Sequence, residues 1–387
     1  MSETDAGLPS RWIRSLQRAL LSFYDEARRD LPWRRTTDPY RIWVSEVVLQ
    51  QTRAETVIPF YERWLARFPT LAALAAAPTD QVLKAWEGLG YYSRARNLHR
   101  AAHLVRERHA GYVPDDVRAL RALPGVGEYT AGAVASIAFG RAEPAVDGNV
   151  RRVLARLLDE PDPSARRLRS IAAALLPQER PGDFNQAMME LGAVRCTPRA
   201  PACRRCPVSR LCRARRAGTQ LERPVRRRRA AVPIYDLGTA VIRDAAGRLL
   251  LERRPDGGLL AGLFSFPSAV MDPGEAAEAA ARRAVTVRLE RHATPLGVVE
   301  HTFTHRRERY HAVLFECSHN HDIRGRSLTG GKVTPVAEPH RWVRPTELAD
   351  IPVPVAQRKI LRLAFAQTSK VGLPSPPGPG PRRDARA

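Results

Sequence analysis

Leu123-Pro-Gly-Val-Gly-Glu-Tyr-Thr-Ala-Gly132 lies between two stretches of helical spacing, Asp116 to Ala122 and Tyr129 to Phe139. The run Gly125-Val126-Gly127 permits a tight hairpin whose backbone N–H groups face outward at a helix N-terminus, a seat for a phosphate oxygen. Alone, P-G-x-G more often marks an ordinary helix–helix turn, so the partner must be read from the rest of the chain.

Lysine and arginine outnumber aspartate and glutamate by 63 to 40 in 387 residues, a formal net charge of +23. Such an excess points to a polyanion, nucleic acid first, and turns the hairpin towards phosphate binding. The cations are almost all arginine; the lysines are Lys84, Lys332, Lys359 and Lys370. No uninterrupted apolar run approaches the roughly 18 residues of a membrane span, and the N-terminus carries no apolar targeting core. The expectation is a soluble, cytoplasmic chain with no membrane partner.

Four of the 5 cysteines, Cys196, Cys203, Cys206 and Cys212, form a C-x6-C-x2-C-x5-C run. A disulfide framework suits short secreted chains, not this one. A single C-x2-C with no intervening histidine departs from the paired knuckles of most structural zinc sites. Four thiolates equally suit a four-iron four-sulfur cluster, and spacing leaves both metals open. Arg199, Arg204, Arg205 and Arg210 lie within the run, so a bound metal group would hold a compact basic loop in shape.

From about Arg11 to Arg216 the apolar residues recur at helical spacing with Pro and Gly punctuation. Arg213 to Pro233, including Arg226 to Arg229, is arginine-rich with few large apolar residues and reads as an exposed linker. Leu237 to Ile242, Leu249 to Arg253 and His311 to Cys317 read as strands, with an Ala-rich helix from about Glu275 to Arg291. The expected domains are 1–217, containing the cysteine loop 196–212, a linker 218–233, a second domain 234–366 and a disordered tail 367–387.

Two carboxylates stand out. Asp38-Pro39 opens a helix with an N-cap and a proline at its first position. At 100° per residue Tyr40, Trp43, Val44 and Val47 share its core face, while Glu46 lies on the other side between Ile42 and Leu49. An acid in an apolar stripe has a raised pKa, suiting a general acid; the plainer reading is a solvated helix glutamate. Asp147-Gly148-Asn149 precedes a helix over Val150 to Leu158. Asp147 or Asn149 is an N-cap there, and the helix N-terminus is expected to keep Asp147 ionised. An acid and an anion are what glycoside cleavage requires.

The hairpin, followed by Val146-Asp147-Gly148-Asn149-Val150 and the cysteine run, resembles the helix-hairpin-helix DNA glycosylase superfamily of the endonuclease III type. More narrowly, Leu31-Pro-Trp-Arg34, Trp43-Val-Ser-Glu-Val-Val-Leu-Gln-Gln-Thr52, Gly88-Leu-Gly-Tyr-Tyr-Ser-Arg-Ala-Arg-Asn-Leu98 and Phe184-Asn-Gln-Ala-Met-Met-Glu-Leu-Gly192 resemble the MutY family of adenine DNA glycosylases. The resemblance implies a mainly α helix-hairpin-helix domain with one [4Fe-4S] cluster on the four cysteines, then an α+β Nudix-like domain. It implies double-stranded DNA carrying adenine opposite 8-oxoguanine or guanine as partner.

By the same resemblance Glu46 protonates adenine, Asp147 stabilises the cation at the sugar, and Tyr129 and Asn149 orient and shield that anion. Gln51, with Tyr91 and Leu49, fills the gap left by an extruded base; Trp33, Arg34 and Glu190 surround the adenine. Lyase-active relatives carry a lysine where this chain has Tyr129, so the chain is expected to release the base without cutting the strand.

In the C-terminal half Gly258-Leu-Leu-Ala-Gly-Leu-Phe-Ser-Phe-Pro267 and His301-Thr-Phe-Thr-His305 carry the likeness. Gly274-Glu-Ala-Ala-Glu-Ala-Ala-Ala-Arg-Arg-Ala-Val285 lacks the Arg-Glu pair and Glu-Glu of a working Nudix hydrolase, so recognition rather than pyrophosphohydrolysis is implied. Phe303, Thr304 and His305 form the loop inspecting 8-oxoguanine, with Thr304 where the family often has serine. The alternatives are a bifunctional glycosylase/lyase of the thymine-glycol type and a non-catalytic, metal-stapled DNA-binding module.

Overall fold

The computed structural model describes residues 7–225, 231–285, 289, 292–317 and 340–368. The chain divides into two compact units, one of Met1–Ala77 and Arg94–Arg229, the other of Pro78–Ser93 and Ala230–Ala387.

The first unit is helical. It opens with α1 (Ser10–Ala27), α2 (Pro39–Val48), α3 (Ala54–Arg67) and α4 (Leu71–Ala76); α5 (Thr79–Ala85) belongs to the second unit. Then come α6 (Ser93–Arg108), α7 (Val117–Arg121), α8 (Glu128–Phe139), α9 (Gly148–Leu158), α10 (Ala165–Leu175), α11 (Pro181–Val194) and α12 (Arg213–Ala217). Their starts follow local rules: Asp38, Thr70, Asp116, Asp147 and Ser164 each cap a helix by accepting a backbone N–H. Leu16 and Leu20 of α1, Leu154 and Leu157 of α9, Ile171 and Leu175 of α10 and Leu191 of α11 make one buried core, each leucine contributing about 2 kcal/mol by its burial. The cysteine loop packs on this core through Cys196, Cys206 and Cys212. Helix α11 also packs on α8, and α8 on α2, which brings residues far apart in sequence to one place.

The second unit is a mixed sheet. Strands β1 (Ile234–Asp244), β2 (Leu249–Arg253), β3 (Phe264–Ser265), β4 (Ser268–Val270), β5 (Ala293–Thr302), β6 (Arg307–Cys317) and β7 (His340–Val343) run in the order β3-β2-β1-β6-β5, with β4 on β1 and β7 on β2. The β1–β6 pair is parallel, in a register placing Thr239 beside Ala312; the other pairs are antiparallel. Helix α13 (Ala277–Arg283) covers the face of Ile242, Leu250 and Phe315, and α14 (Val355–Thr368) the face of Val241, Leu251 and Leu314. A Cβ on Gly238 would meet the Ala277 carbonyl oxygen at 2.5 Å, so glycine lets α13 lie against β1.

Three boundaries differ from the sequence reading. The Ala-rich helix ends at Arg283, and 286–288 and 290–291 lie outside the described residues. Part of the expected linker is folded onto the helical unit: Thr219 Oγ1 donates to Asp159 Oδ1 at 2.5 Å, Arg223 pairs with Asp159 at 2.9 Å, and Val225 N–H donates to Pro161 O at 2.7 Å. Its Arg226 to Arg229 lie outside the described residues, as does the expected tail beyond Thr368, where α14 ends. Finally, Pro78–Ser93 groups with the second unit. Arg253 grips both oxygens of Asp80 at 2.8 and 2.6 Å, and Arg358 Nη2 donates to Glu87 at 2.8 Å, long-range pairs that local periodicity does not reveal.

Candidate active site

Helix α2 is buried nearly all round, from Tyr40 through Ile42 to Val48, so Glu46 is not the solvated glutamate of the plainer reading but sits 5 % exposed in the interior. Because α2 packs on α8, Tyr129 reaches it: the phenol donates to Glu46 Oε2 at 2.5 Å and lies 3.7 Å from Met189 Sδ. Burial pushes the Glu46 pKa up to about 7; the Tyr129 hydrogen bond lowers it, the Asp147 charge raises it and Arg34 lowers it. Burial, with Glu46 and Asp147 close by, holds the Tyr129 phenol neutral, its pKa well above the ordinary value.

Asp147 caps α9. Its Oδ1 accepts the Val150 N–H at 2.7 Å and its Oδ2 the Asn149 amide at 2.9 Å. The Asn149 amide is oriented in turn by Arg152, which donates to Asn149 Oδ1 at 2.8 Å, to Cys196 O at 2.8 Å and to Gly192 O at 2.9 Å. One expectation needs correcting. The helix N-terminus alone does not set the Asp147 pKa: burial raises it above the ordinary value, opposed by the Val150 and Asn149 donors and the Arg152 charge. Sequence reasoning missed Arg152 and Gly192. A Cβ on Gly192 would come within 2.6 Å of Asn149 Cβ, a packing demand between segments that no local pattern encodes.

The hairpin forms as read, with its glycines doing different jobs. Gly125 has φ +78°, and a Cβ there would meet Asn97 Cβ at 2.7 Å, so only glycine fits. Gly127 is extended, caps α8 and faces open space; what it provides is unhindered approach to the α8 N–H groups. Val126 is buried beneath the turn. A cleft of about 1220 Å³ runs past Gly125, Gly127, Tyr129, Asp147 and Gly148 to Arg151 and Arg169, and Gln50 rather than Gln51 lines it.

Trp33 is buried, edge-on to Tyr61 with ring centroids 5.5 Å apart. Glu190 is held by both Arg34, at 2.8 Å, and Arg29, at 2.8 and 2.9 Å. Burial alone would raise its pKa, but these two guanidiniums bring it down to about 2. Arg29, unrecognised in the sequence and half-buried, thus completes an ion cluster around the buried Glu190, and its Arg34 also acts on Glu46. Leu49 closes α2, and the next turn carries Gln51 exposed at φ +60°.

In the second unit Tyr91 is exposed at φ +46°. Phe303, Thr304 and His305 form the tip of the β5–β6 hairpin, closed by Phe303 N–H donating to Arg306 O at 2.8 Å, with the Phe303 ring edge-on to His301. Thr304 and His305 are exposed.

Cys196, Cys203, Cys206 and Cys212 line one cavity together with Arg156 and Leu191, and none is in a disulfide. Arg156, 2 % exposed, donates to Cys196 Sγ at 3.2 Å and to the carbonyls of Thr197 and Pro198. Among the described residues no group of three or more His, Cys, Asp or Glu side chains is placed to hold a metal ion. No described helix is long and apolar enough to cross a membrane.

A buried acid within electrostatic reach of an aspartate that caps a helix and lines a cleft suits glycosidic cleavage. Residues 44–178 match the HhH-GPD superfamily of base excision DNA repair proteins, and residues 238–363 match the NUDIX domain. The helical half is similar to a solved thermostable thymine-DNA glycosylase, TM-score 0.51 at 32 % identity over 54 % of this chain and 98 % of that one. The adenine DNA glycosylase of Mycolicibacterium smegmatis is 48 % identical over 51 % of this chain and 69 % of its own length. The human adenine DNA glycosylase is 37 % identical over 92 % of this chain and 75 % of its own length. With likeness running through both units, the chain belongs to the adenine DNA glycosylase family.

Proposed function

We propose that this DNA glycosylase removes adenine opposite 8-oxoguanine or guanine as a monofunctional enzyme, with Glu46 and Asp147 as its acid and anion. The observation that carries the reading is the pair itself: a buried carboxyl shifted to about 7 within electrostatic reach of a second carboxyl that caps a helix. Tyr129 occupies Glu46 Oε2, so the acid's proton resides on Oε1, free to pass to adenine N7. Protonation makes the base a leaving group and the C1′–N9 bond breaks. Asp147, fixed by Val150 and Asn149, faces the oxocarbenium-like sugar, water adds at C1′, and an abasic site remains. Tyr129 offers no amine for a Schiff base. The exposed left-handed turns at Gln51 and Tyr91 support their reading as wedges, since strained backbone of this kind is retained where function needs it.

The four thiols line one cavity with no disulfide among them, and a donor set of four cysteines suits an iron–sulfur cluster. Cys196, Cys203, Cys206 and Cys212 would hold a [4Fe-4S] cluster, which supplies a rigid, positively charged core that four thiolates require. Arg156 and Arg152 tie the loop's backbone to α9 and so to Asn149. The Phe303–His305 tip is the proposed reader of the oxidised base. Its exposure on a hairpin supports this, as does the stretch 275–283, where Glu275 pairs with Arg283 and Glu278 with Arg282. The proposed organisation is the first unit, 1–77 with 94–229, as glycosylase and the second, 78–93 with the sheet domain from 230, as reader, in a nucleoid-associated monomer. The test is base release from a duplex carrying adenine opposite 8-oxoguanine or guanine, with and without alkali. Strand breaks without alkali would show lyase activity instead.

A further inference from the structure

The turn that carries Gln51 is held by one side chain of another helix. Helix α2 ends at Val48, and its last carbonyls have no partner within the helix. Arg94, in the first turn of α6, places Nη1 2.8 Å from Val47 O, 3.3 Å from Val48 O and 2.8 Å from Gln50 O. Its two N–H bonds are thus shared among three carbonyls, two belonging to the helix end and one immediately preceding Gln51. A cation at the negative end of a helix is favourable in itself. Here it also clamps the chain where it turns into the left-handed conformation at Gln51, φ +60°. One turn further along α6, Asn97 lies beneath Gly125 of the hairpin, so the same stretch of α6 sets both the α2 end and the phosphate seat.

We infer that Arg94 is a positioning residue for base extrusion: it locks the Leu49–Gln51 turn in its strained form and so fixes α2, which carries Glu46 one turn earlier. This rests on the proposed wedge role of Gln51. Without Arg94 the three carbonyls turn to water, the turn relaxes to ordinary φ, and the wedge is no longer presented. Binding to DNA that has no base to extrude does not need the turn.

The test compares Arg94→Met, Arg94→Gln and Arg94→Lys with the parent, using active-site-titrated full-length protein. Three readouts apply: single-turnover adenine release, fluorescence of 2-aminopurine at the target position, and affinity for a duplex holding a tetrahydrofuran abasic analogue. Arg94→Met should slow release by at least about tenfold and abolish the fluorescence rise, with abasic-duplex affinity within about threefold of the parent, as a displaced positioning group does. Arg94→Gln, which keeps one amide donor, should fall between, and serves if the Met variant is insoluble. Arg94→Lys, which keeps charge and donors, should recover most of both signals. Release within about twofold of the parent in the Met or Gln variant overturns the inference; so does loss of abasic-duplex affinity in proportion to release, which marks a general folding role. Gln51→Ala tests the underlying reading separately: if it extrudes 2-aminopurine normally, the wedge assignment fails and the inference with it, whereas a defective Gln51→Ala beside a normal Arg94→Met overturns the inference alone.

Discussion

The Tyr129 hydroxyl donates to Glu46 Oε2 at 2.5 Å across 83 residues of sequence. Two opposed effects meet at this contact: burial drives the glutamate towards its neutral, proton-bearing form, while the hydrogen bond favours the anion it becomes after donating. The balance places its pKa at about 7, where an acid gives up a proton and regains it most readily.

Glu46→Gln and Asp147→Asn should each lower single-turnover adenine release by at least about 10²-fold while leaving duplex affinity largely intact. Gel-shift and quenched-flow measurements on the same preparations check this. A near-normal rate in either variant would show that the acid and anion are assigned wrongly.

The rate of base release should fall as pH rises through about 7, because Glu46 must be protonated to act. In Tyr129→Phe the donor that lowers this pKa is gone, so the alkaline limb should move to higher pH while the rate itself drops. A pH–rate profile under single-turnover conditions reads both; a limb that stays put would remove Glu46 from the titration.

Glu46 also links pH to stability. Its pKa is raised from 4.5 to about 7 on folding, so the native state holds the proton more tightly, and stability falls as pH rises from 4.5 to 7 and not below that window. The cost above pH 7 is on the order of 3 kcal/mol. Glu46→Gln should therefore melt above the parent at pH 8, with a gap that closes near pH 4. Differential scanning calorimetry at both values decides it.

Anaerobically purified protein should be brown and contain about four irons, the stoichiometry of the cluster, and Cys203→Ser should reduce both soluble yield and DNA affinity as the basic loop loses its frame. Metal analysis giving one zinc in a colourless protein would replace the cluster with a single-ion site.

Phe303→Ala combined with Thr304→Ala should reduce the preference for adenine opposite 8-oxoguanine over guanine, with little change in overall duplex affinity, which phosphate contacts dominate. Point substitutions are cleaner than deleting the second unit, because Asp80 and Glu87 in the 78–93 segment pair with Arg253 and Arg358. An unchanged preference would leave the hairpin tip without a reading role.

Local rules made much of this protein legible from its sequence. Asp38 and Asp147 are N-caps because a short acceptor ahead of an apolar run satisfies N–H groups close in sequence. The strand at Leu249–Arg253 and the hairpin at Gly125 likewise follow from side-chain period and glycine's backbone freedom. Family resemblance, resting on long motifs, then named Glu46 and Tyr129 before their contact was visible. What no local pattern encodes is which distant groups meet. The extended grouping of 78–93 with the sheet, the folding of 219–225 onto α9, the grip of Arg29 on Glu190 and that of Arg94 on the α2 end all join segments far apart in the chain. The same holds for Asp147, whose helix N-terminus alone argued for a low pKa and whose burial raises it. Capping is decided within four residues, whereas desolvation depends on every element packed around the group.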